Sequence, residues 1–195
     1  DVASRPWILF TSMFLHSPVG IAHILFNMYA LFLFGSLIER KIGSKRFLGI
    51  YLVSGLIASL AFTLATPEGS AVGASGAIMA VLGLVIMLMP NLQVLFFFVI
   101  PMSMRTAGII FALIDLVGFA AGGSGIAHIA HLAGLACGLG FGYYLKRKKK
   151  EFGKNFGNKG RQYRQPNRKS PYYDSERTIE LTKDDIDNYF KYGKL

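Results

Sequence analysis

The chain has 195 residues, and its composition excludes an ordinary water-soluble domain, because 52% of the residues are hydrophobic and only 16% are charged. A soluble domain carries about a quarter charged residues. Between Arg46 and Arg105 the single charged residue is Glu68, and such uncharged stretches are typical of membrane-spanning helices. The net charge of +10 does not indicate nucleic-acid binding, because the basic residues concentrate in 146–195, beside the last apolar stretch. A basic segment in that position indicates contact with anionic membrane lipids.

The first apolar stretch, residues 6–18, is too short to span a bilayer and is interpreted as an interfacial or re-entrant segment. Five further stretches predict membrane-spanning helices, since about 20 apolar residues cross a hydrocarbon core of roughly 30 Å. The predicted spans are residues 21–38, 47–65, 74–89, 104–121 and 126–145. The third span is short and is stopped by Pro90. The sequence therefore predicts an all-α, polytopic transmembrane helical bundle.

Three further segments have weaker signals. Residues 92–101 are apolar but too short to span, so they either extend the fourth helix or lie at the membrane interface. The membrane core is expected to occupy residues 1–145. A basic, largely disordered tail is expected over 146–195, because 146–170 has the composition of a disordered segment. Within this tail, residues 182–192 have the pattern of a short amphipathic helix with a capping box.

The distribution of Lys and Arg predicts the orientation in the membrane. The loop 39–47 holds four of these residues and the segment 146–150 holds five, whereas the loops 66–73 and 122–125 hold none. Five spans place both basic segments on the same side of the membrane. That side is predicted to be cytoplasmic, and the C-terminal tail with it.

Ser75 lies between two glycines at the start of the third span, where a serine is either a packing residue or a nucleophile. Two stripes of small residues predict that the third and fifth spans cross closely. The stripes are Gly76, Ala80 and Gly83 on the third span, and Gly134, Gly138 and Gly142 on the fifth. Because His131 precedes the second stripe by about one turn, a close crossing brings its imidazole near the Ser75 hydroxyl. That pairing is how a serine nucleophile is activated.

Histidine is costly inside a bilayer and is a functional candidate by default. The predicted orientation places His23, Ser75 and His131 at a similar depth near the outer side of the membrane. His23 and Asn27 are four residues apart, so both lie on one face of the first span. Both side chains can donate hydrogen bonds. Together with a backbone N–H they would stabilise a developing oxyanion.

Three motifs occur in this order along the chain: "HILFN" (23–27), "GASG" (73–76) and "AHLAGLACG" (130–138). Together they resemble the signatures of the rhomboid intramembrane serine proteases, which are His-x-x-x-Asn, Gly-x-Ser-Gly and Ala-His-x-x-Gly-x-x-x-Gly. The resemblance covers about residues 5–145. It implies a rhomboid-like bundle that hydrolyses peptide bonds in or near the transmembrane segments of membrane proteins. It also implies a site that opens toward the extracytoplasmic side and uses no cofactor or metal.

The resemblance implies a role for each matched residue. Ser75 is the expected nucleophile and His131 the expected general base, in a dyad without an essential acid. His23, Asn27 and the Ser75 amide are expected to form the oxyanion hole. The packing of the two helices is expected to depend on four glycines: Gly73, Gly76, Gly134 and Gly138.

Three residues depart from these motifs or lie outside them. His128 is followed three residues later by His131, where the motif has glycine, so His128 is interpreted as accessory or structural. Asp115, in the middle of the fourth span, is interpreted as an acid that faces the bundle interior and has a polar partner there. Met79 stands where some relatives have an aromatic residue that packs on the catalytic histidine.

Other expectations concern the surroundings of the site. Rhomboids have at least six spans, so a further span is expected before residues 6–18, and the chain is expected to be truncated at its start. Hydrolysis needs water, which the bilayer core lacks, so the short third helix is expected to leave a water-filled cavity above Ser75. We hypothesise that Gly122, Gly123 and Gly125 form a flexible loop that gates substrate entry together with the fourth helix.

Two alternative functions remain open. The first is a catalytically inactive rhomboid-like protein that binds membrane proteins without cleaving them, which the presence of both Ser75 and His131 disfavours. The second is a metal-dependent membrane enzyme or transporter that uses His128 and His131 with His23. Glu68 is the single acid at the outer side that could supply a further ligand, which disfavours this second alternative.

Overall fold

A computed structural model describes residues 2, 4–16, 21–96, 99–122 and 127–162, with side chains described up to residue 150. The helices and strands follow in chain order: α1 (Ile8–Thr11), α2 (Ile21–Ala30), α3 (Ser36–Ile42), α4 (Ser44–Ala65), α5 (Ser75–Leu88), β1 (Gln93–Phe96), β2 (Ile100–Ser103), α6 (Met104–Ala121) and α7 (His128–Gln162). A 3₁₀ turn, Ser12–Phe14, follows α1, and a π-helical turn, Leu31–Gly35, joins α2 to α3. The chain divides into two compact units, Asp1–Phe152 and Gly153–Leu195, and the predicted core falls within the first.

The prediction of a helical, polytopic membrane bundle is confirmed. Helices occupy all five predicted spans, apart from one described residue at each end of the third and at the start of the fifth. Three of them, Ile21–Ile42, Ser44–Ala65 and Met104–Ala121, are long and apolar enough to cross a membrane by length and composition. Ser75–Leu88 is apolar but shorter, as its sequence predicts. Among the described residues, α7 is long enough but not apolar enough to be counted with these three helices, because its histidines, glycines and tyrosines lower its mean hydropathy.

Helix α5 is the central element of the bundle. Its residues from Gly76 to Val85 are all buried, and the helix is apolar on every side, as expected of a helix surrounded by protein. It packs against α4, α6 and both parts of the helix over Ile21–Ile42. The surrounding helices expose large apolar side chains instead, including Ile21, Phe26, Leu64 and Val117. An apolar surface of this extent suits contact with lipid rather than with water.

Helices α5 and α7 cross so closely that their backbones touch. A Cβ atom on Gly134 would overlap the carbonyl oxygen of Gly76, and one on Gly138 would overlap the carbonyl oxygen of Ala80. One on Gly83 would lie 2.7 Å from a backbone oxygen of α7. Small residues permit such contact in membranes, where van der Waals packing rather than the hydrophobic effect holds helices together. The crossing fixes the start of α5 against the start of α7.

This crossing gives a prediction about stability. Gly138→Ala is expected to destabilise the protein by about 1–3 kcal/mol, because the added methyl group must separate two backbones. Gly140→Ala is the matched control on the same helix, since Gly140 is exposed and a Cβ there meets nothing within 4 Å. It is expected to leave stability unchanged or slightly raised, since alanine favours helix more than glycine. Thermal unfolding of both variants in detergent checks this, and an equal midpoint for the two variants would contradict it.

Two short antiparallel strands occupy Gln93–Phe96 and Ile100–Ser103, which corrects the expectation that residues 92–101 extend the fourth helix. Strand Gln93–Phe96 pairs in antiparallel fashion with Ile100–Ser103, and Leu95 lies opposite Pro101. A short apolar run does not by its periodicity distinguish helix from strand. Here aromatic and β-branched residues favour the strand, and Pro101 cannot continue a helix because it lacks an N–H. The fourth helix therefore begins at Met104, as predicted, and Ser103 caps it by accepting a hydrogen bond from the Thr106 N–H at 3.2 Å.

The structure differs from the sequence prediction at the start of the tail. Helix α7 runs to Gln162, so residues 146–162 are helical where their composition predicts disorder. Lysine and arginine are good helix formers, and a helix already established by α7 extends through them at little cost. The predicted helix over 182–192 lies outside the described residues. So does the greater part of the hypothesised gate, because Gly123 and Gly125 fall within 123–126.

Candidate active site

Ser75 is the first residue of α5 and follows the loop that leaves α4. Gly73, two residues earlier, has a φ of +128°, a conformation that side-chain-bearing residues rarely adopt. Its N–H donates a hydrogen bond to the Ser12 carbonyl oxygen at 2.9 Å, which ties the loop to the segment 4–16. That segment is itself anchored, because Met13 is 2% exposed and its thioether packs onto Gly55 of α4. Two elements besides α5 therefore hold the backbone in front of Ser75.

His131 lies in the first turn of α7, and its side chain meets the serine. Its Nε2 atom is 2.8 Å from the Ser75 hydroxyl oxygen, a distance for a direct hydrogen bond. The helix crossing explains this approach, because Gly76 and Gly134 touch immediately beyond the two residues. Both side chains are partly buried. The structure thus brings together the two residues that the sequence assigns as nucleophile and base.

Asp115 of α6 lies on the other side of the imidazole. Its Oδ1 atom is 2.9 Å from Nδ1 of His131 and 2.7 Å from Nδ1 of His128. The carboxylate is buried, with Asp115 5% exposed. The sequence interpretation of Asp115 included an interior position and a polar partner but not its link to His131. The available signal was weak, because it consisted of an acid in mid-span and two histidines three residues apart on another helix.

His23 and Asn27 face the backbone that leads into Ser75. A Cβ atom on Gly73 would lie 3.1 Å from His23 Nε2 and 3.9 Å from Asn27 Nδ2, so both side chains border the site of that glycine. Asn27 is 6% exposed, and its Nδ2 has no hydrogen-bond partner among the described residues. The arrangement therefore offers a buried amide donor beside Gly73, two residues before Ser75. His16, which the sequence did not single out, places its ring 5.5 Å from that of His23.

A cavity of about 950 Å³ adjoins Ser75. Its walls come from the segment before α2, from α4, from the loop 66–73 and from the first residues of α5. Hydroxyl groups of Ser59, Thr63 and Thr66 are among its lining, and Glu68 is the charged residue in that lining. A cavity of this volume has room for many water molecules, and its lining includes polar groups with which they can form hydrogen bonds.

Asp115, His128 and His131 also form the group of side chains in the described chain that is suited to a metal ion, with donor atoms within 4.8 Å of one another. His23, the third ligand in the metal-dependent alternative, is not a member. Both imidazole Nδ1 atoms are directed at one carboxylate oxygen. A metal bound through these atoms would have to replace both hydrogen bonds.

Comparison with known proteins shows that the similarity extends beyond the three motifs to most of the chain. The family model of the Rhomboid domain matches residues 3–148. Rhomboid protease GluP of Bacillus subtilis is 40% identical over 135 residues, which cover 68% of this chain and 25% of that protein. Presenilin-associated rhomboid-like protein A, mitochondrial, of Danio rerio is 35% identical over 144 residues, which cover 69% of this chain and 38% of that protein.

A relative from a plant is similar to this chain to a comparable extent. RHOMBOID-like protein 6, mitochondrial, of Arabidopsis thaliana is 32% identical over 143 residues, which cover 73% of this chain and 44% of that protein. The chain therefore spans between a quarter and less than half of the length of these relatives. The matched family model covers about three quarters of the chain, including all the residues of the site. This chain belongs to the rhomboid family, and it is an integral membrane protein.

Proposed function

We propose that this protein is an intramembrane serine endopeptidase in which Ser75 is the nucleophile and His131 the general base. The observation that carries the proposal is the 2.8 Å contact between the Ser75 hydroxyl oxygen and His131 Nε2. A serine hydroxyl is a weak nucleophile until an adjacent base accepts its proton. The two residues lie 56 positions apart in sequence, and the glycines at the helix crossing are what bring them into contact.

The proposed reaction proceeds in two steps. Ser75 Oγ attacks the carbonyl carbon of the scissile peptide while its proton passes to His131 Nε2, which then gives that proton to the leaving amine. Water next hydrolyses the acyl-enzyme, with His131 accepting and returning a proton in the same way. In this proposal the Ser75 N–H and the side chains of His23 and Asn27 donate hydrogen bonds to the oxyanion.

Water for the second step would come from the cavity beside Ser75. The bilayer core has no water, so a membrane-embedded hydrolase needs a polar volume connected to the outside. The cavity of about 950 Å³, with its serine, threonine and glutamate side chains, meets that requirement.

We infer that the substrates are membrane-spanning proteins cleaved in or near their transmembrane segments. The relative from Bacillus subtilis is named a rhomboid protease, which supports a proteolytic role. The distribution of Lys and Arg supports a site that opens on the extracytoplasmic side and a cytoplasmic C-terminus whose basic residues contact anionic headgroups. The reaction requires no cofactor.

The test is labelling of the purified protein in detergent with a fluorophosphonate probe, with and without a chelator. The probe forms a covalent bond between its phosphorus and an activated serine oxygen, and fluoride leaves. Labelling is expected in the wild type, and Ser75→Ala is expected to abolish it. Chelator is expected to leave it unchanged.

Ser54→Ala is the matched control for this experiment. Ser54 is a fully buried serine of α4 whose hydroxyl has no hydrogen-bond partner among the described residues. Its replacement is expected to leave labelling intact. Folded wild-type protein that remains unlabelled would contradict the serine-protease mechanism. Cleavage of a membrane substrate that stops on addition of chelator would favour the metal-dependent alternative.

A further inference from the structure

Asp115 is a buried acid whose hydrogen bonds go to two histidines of a neighbouring helix. Its position, 5% exposed in the middle of α6, is costly for a carboxylate unless partners compensate. His128 and His131 supply those partners, at 2.7 and 2.9 Å from one oxygen atom. The second hydrogen bond goes to the imidazole that contacts Ser75.

The hydrogen-bonding capacities of these groups fix where the protons lie. An ionised carboxylate only accepts hydrogen bonds, so Nδ1 of His131 must be the protonated nitrogen when the ring is neutral. Nε2 of His131 then has a free lone pair directed at the Ser75 hydroxyl. This is the tautomer that a general base needs, and the opposite tautomer would present an N–H to the serine.

His128 contacts the same carboxylate oxygen of Asp115 as His131 does. The residue is 6% exposed, and its ring packs on Gly118 of α6, where a Cβ atom would overlap its Nε2. Its ring also meets the His131 ring edge-on, at 6.3 Å between centroids and an interplanar angle of 85°. Asp115 is therefore held between two imidazoles, and that of His131 also contacts Ser75.

We propose that Asp115 is a positioning residue that orients the His131 ring and selects its Nδ1-protonated tautomer. His128, which packs on Gly118, holds the Asp115 carboxylate in the position that this requires. This role rests on the proposed function, because it exists only if His131 serves as the base for Ser75. During attack, the serine proton moves to His131 Nε2, and Asp115 stays ionised and accepts a hydrogen bond from the imidazolium. No proton passes to the carboxylate.

The central experiment compares Asp115→Asn with the wild-type full chain in detergent. The asparagine amide can donate to Nδ1 and thereby favour the wrong tautomer, so the rate of fluorophosphonate labelling and the kcat for a membrane-spanning reporter are expected to fall about 100-fold. KM is expected to stay within about twofold, because no substrate contact is lost. Asp115→Glu is expected to recover part of the loss, since it restores the acceptor. Introducing Asp115→Asn into the His131→Ala variant is expected to cause no further loss.

A spectroscopic measurement on the unmodified protein tests the same arrangement without relying on the folding of a variant. In ¹⁵N-histidine-labelled protein, the neutral form of His131 is expected to show protonation at Nδ1, with the signal assigned from its disappearance in His131→Gln. Protonation at Nε2 would overturn the proposal. So would an Asp115→Asn variant that unfolds at a lower temperature yet labels at the wild-type rate while folded. Absence of labelling in the wild type would instead contradict the proposed function, so the two failures are distinguishable.

Discussion

Replacing Ser75 or His131 with alanine is expected to lower kcat by about 10⁴- to 10⁶-fold, and the double variant should fall no further. The reason is that, in the proposed mechanism, the two side chains act as one unit across a 2.8 Å contact. Without the imidazole, the serine hydroxyl keeps its proton and attacks poorly. Without the hydroxyl, the imidazole has nothing to activate. Replacing the second residue therefore lowers kcat no further than replacing the first.

The measurement is cleavage of a reporter with one membrane-spanning segment, reconstituted with each variant in liposomes. Ser54→Ala again serves as the control for loss of a buried hydroxyl on a neighbouring helix. If the two single losses multiplied in the double variant, the residues would be acting independently. A His131→Ala variant that keeps more than about a tenth of the wild-type kcat would assign the base to another group.

Much of this site could be predicted because membrane helices leave tertiary information in their small residues. Gly134 and Gly138 recur at a spacing of four, which marks one face of α7 and predicts a helix against it. Gly76 begins the corresponding stripe on α5. Once the two faces are paired, the residues at the head of each stripe, Ser75 and His131, must be neighbours. Their contact is thus a consequence of sequence spacing.

The link between Asp115 and His131 could not be predicted in the same way. Sequence places Asp115 at mid-span, but its partner depends on how α6 is rotated relative to α7. That rotation depends on side-chain packing, such as that of His128 on Gly118. The pairing of strands Gln93–Phe96 and Ile100–Ser103 has a similar explanation, because a short apolar run fits either a helix or a strand until its pairing is known.

Asn27→Ala is expected to lower kcat about 10²- to 10³-fold and to leave KM nearly unchanged. The Asn27 Nδ2 atom is buried beside Gly73 and has no hydrogen-bond partner among the described residues. In the proposed oxyanion hole, this already desolvated donor would stabilise charge that develops only in the transition state. Steady-state kinetics with the liposome reporter measures both constants. Met28→Ala, a change at a lipid-exposed position on the same helix, is the control and should leave both unchanged.

The stability of the same variant separates this role from a structural one. An unpartnered buried donor costs free energy in the folded protein, because the donor leaves water without gaining a new partner. Its removal by Asn27→Ala is therefore expected to leave the thermal midpoint in detergent unchanged or raised, while kcat falls. A midpoint that falls together with kcat would instead make Asn27 a packing residue of α2. The combination of lost activity and retained stability is expected only of a group whose hydrogen bond forms with the oxyanion.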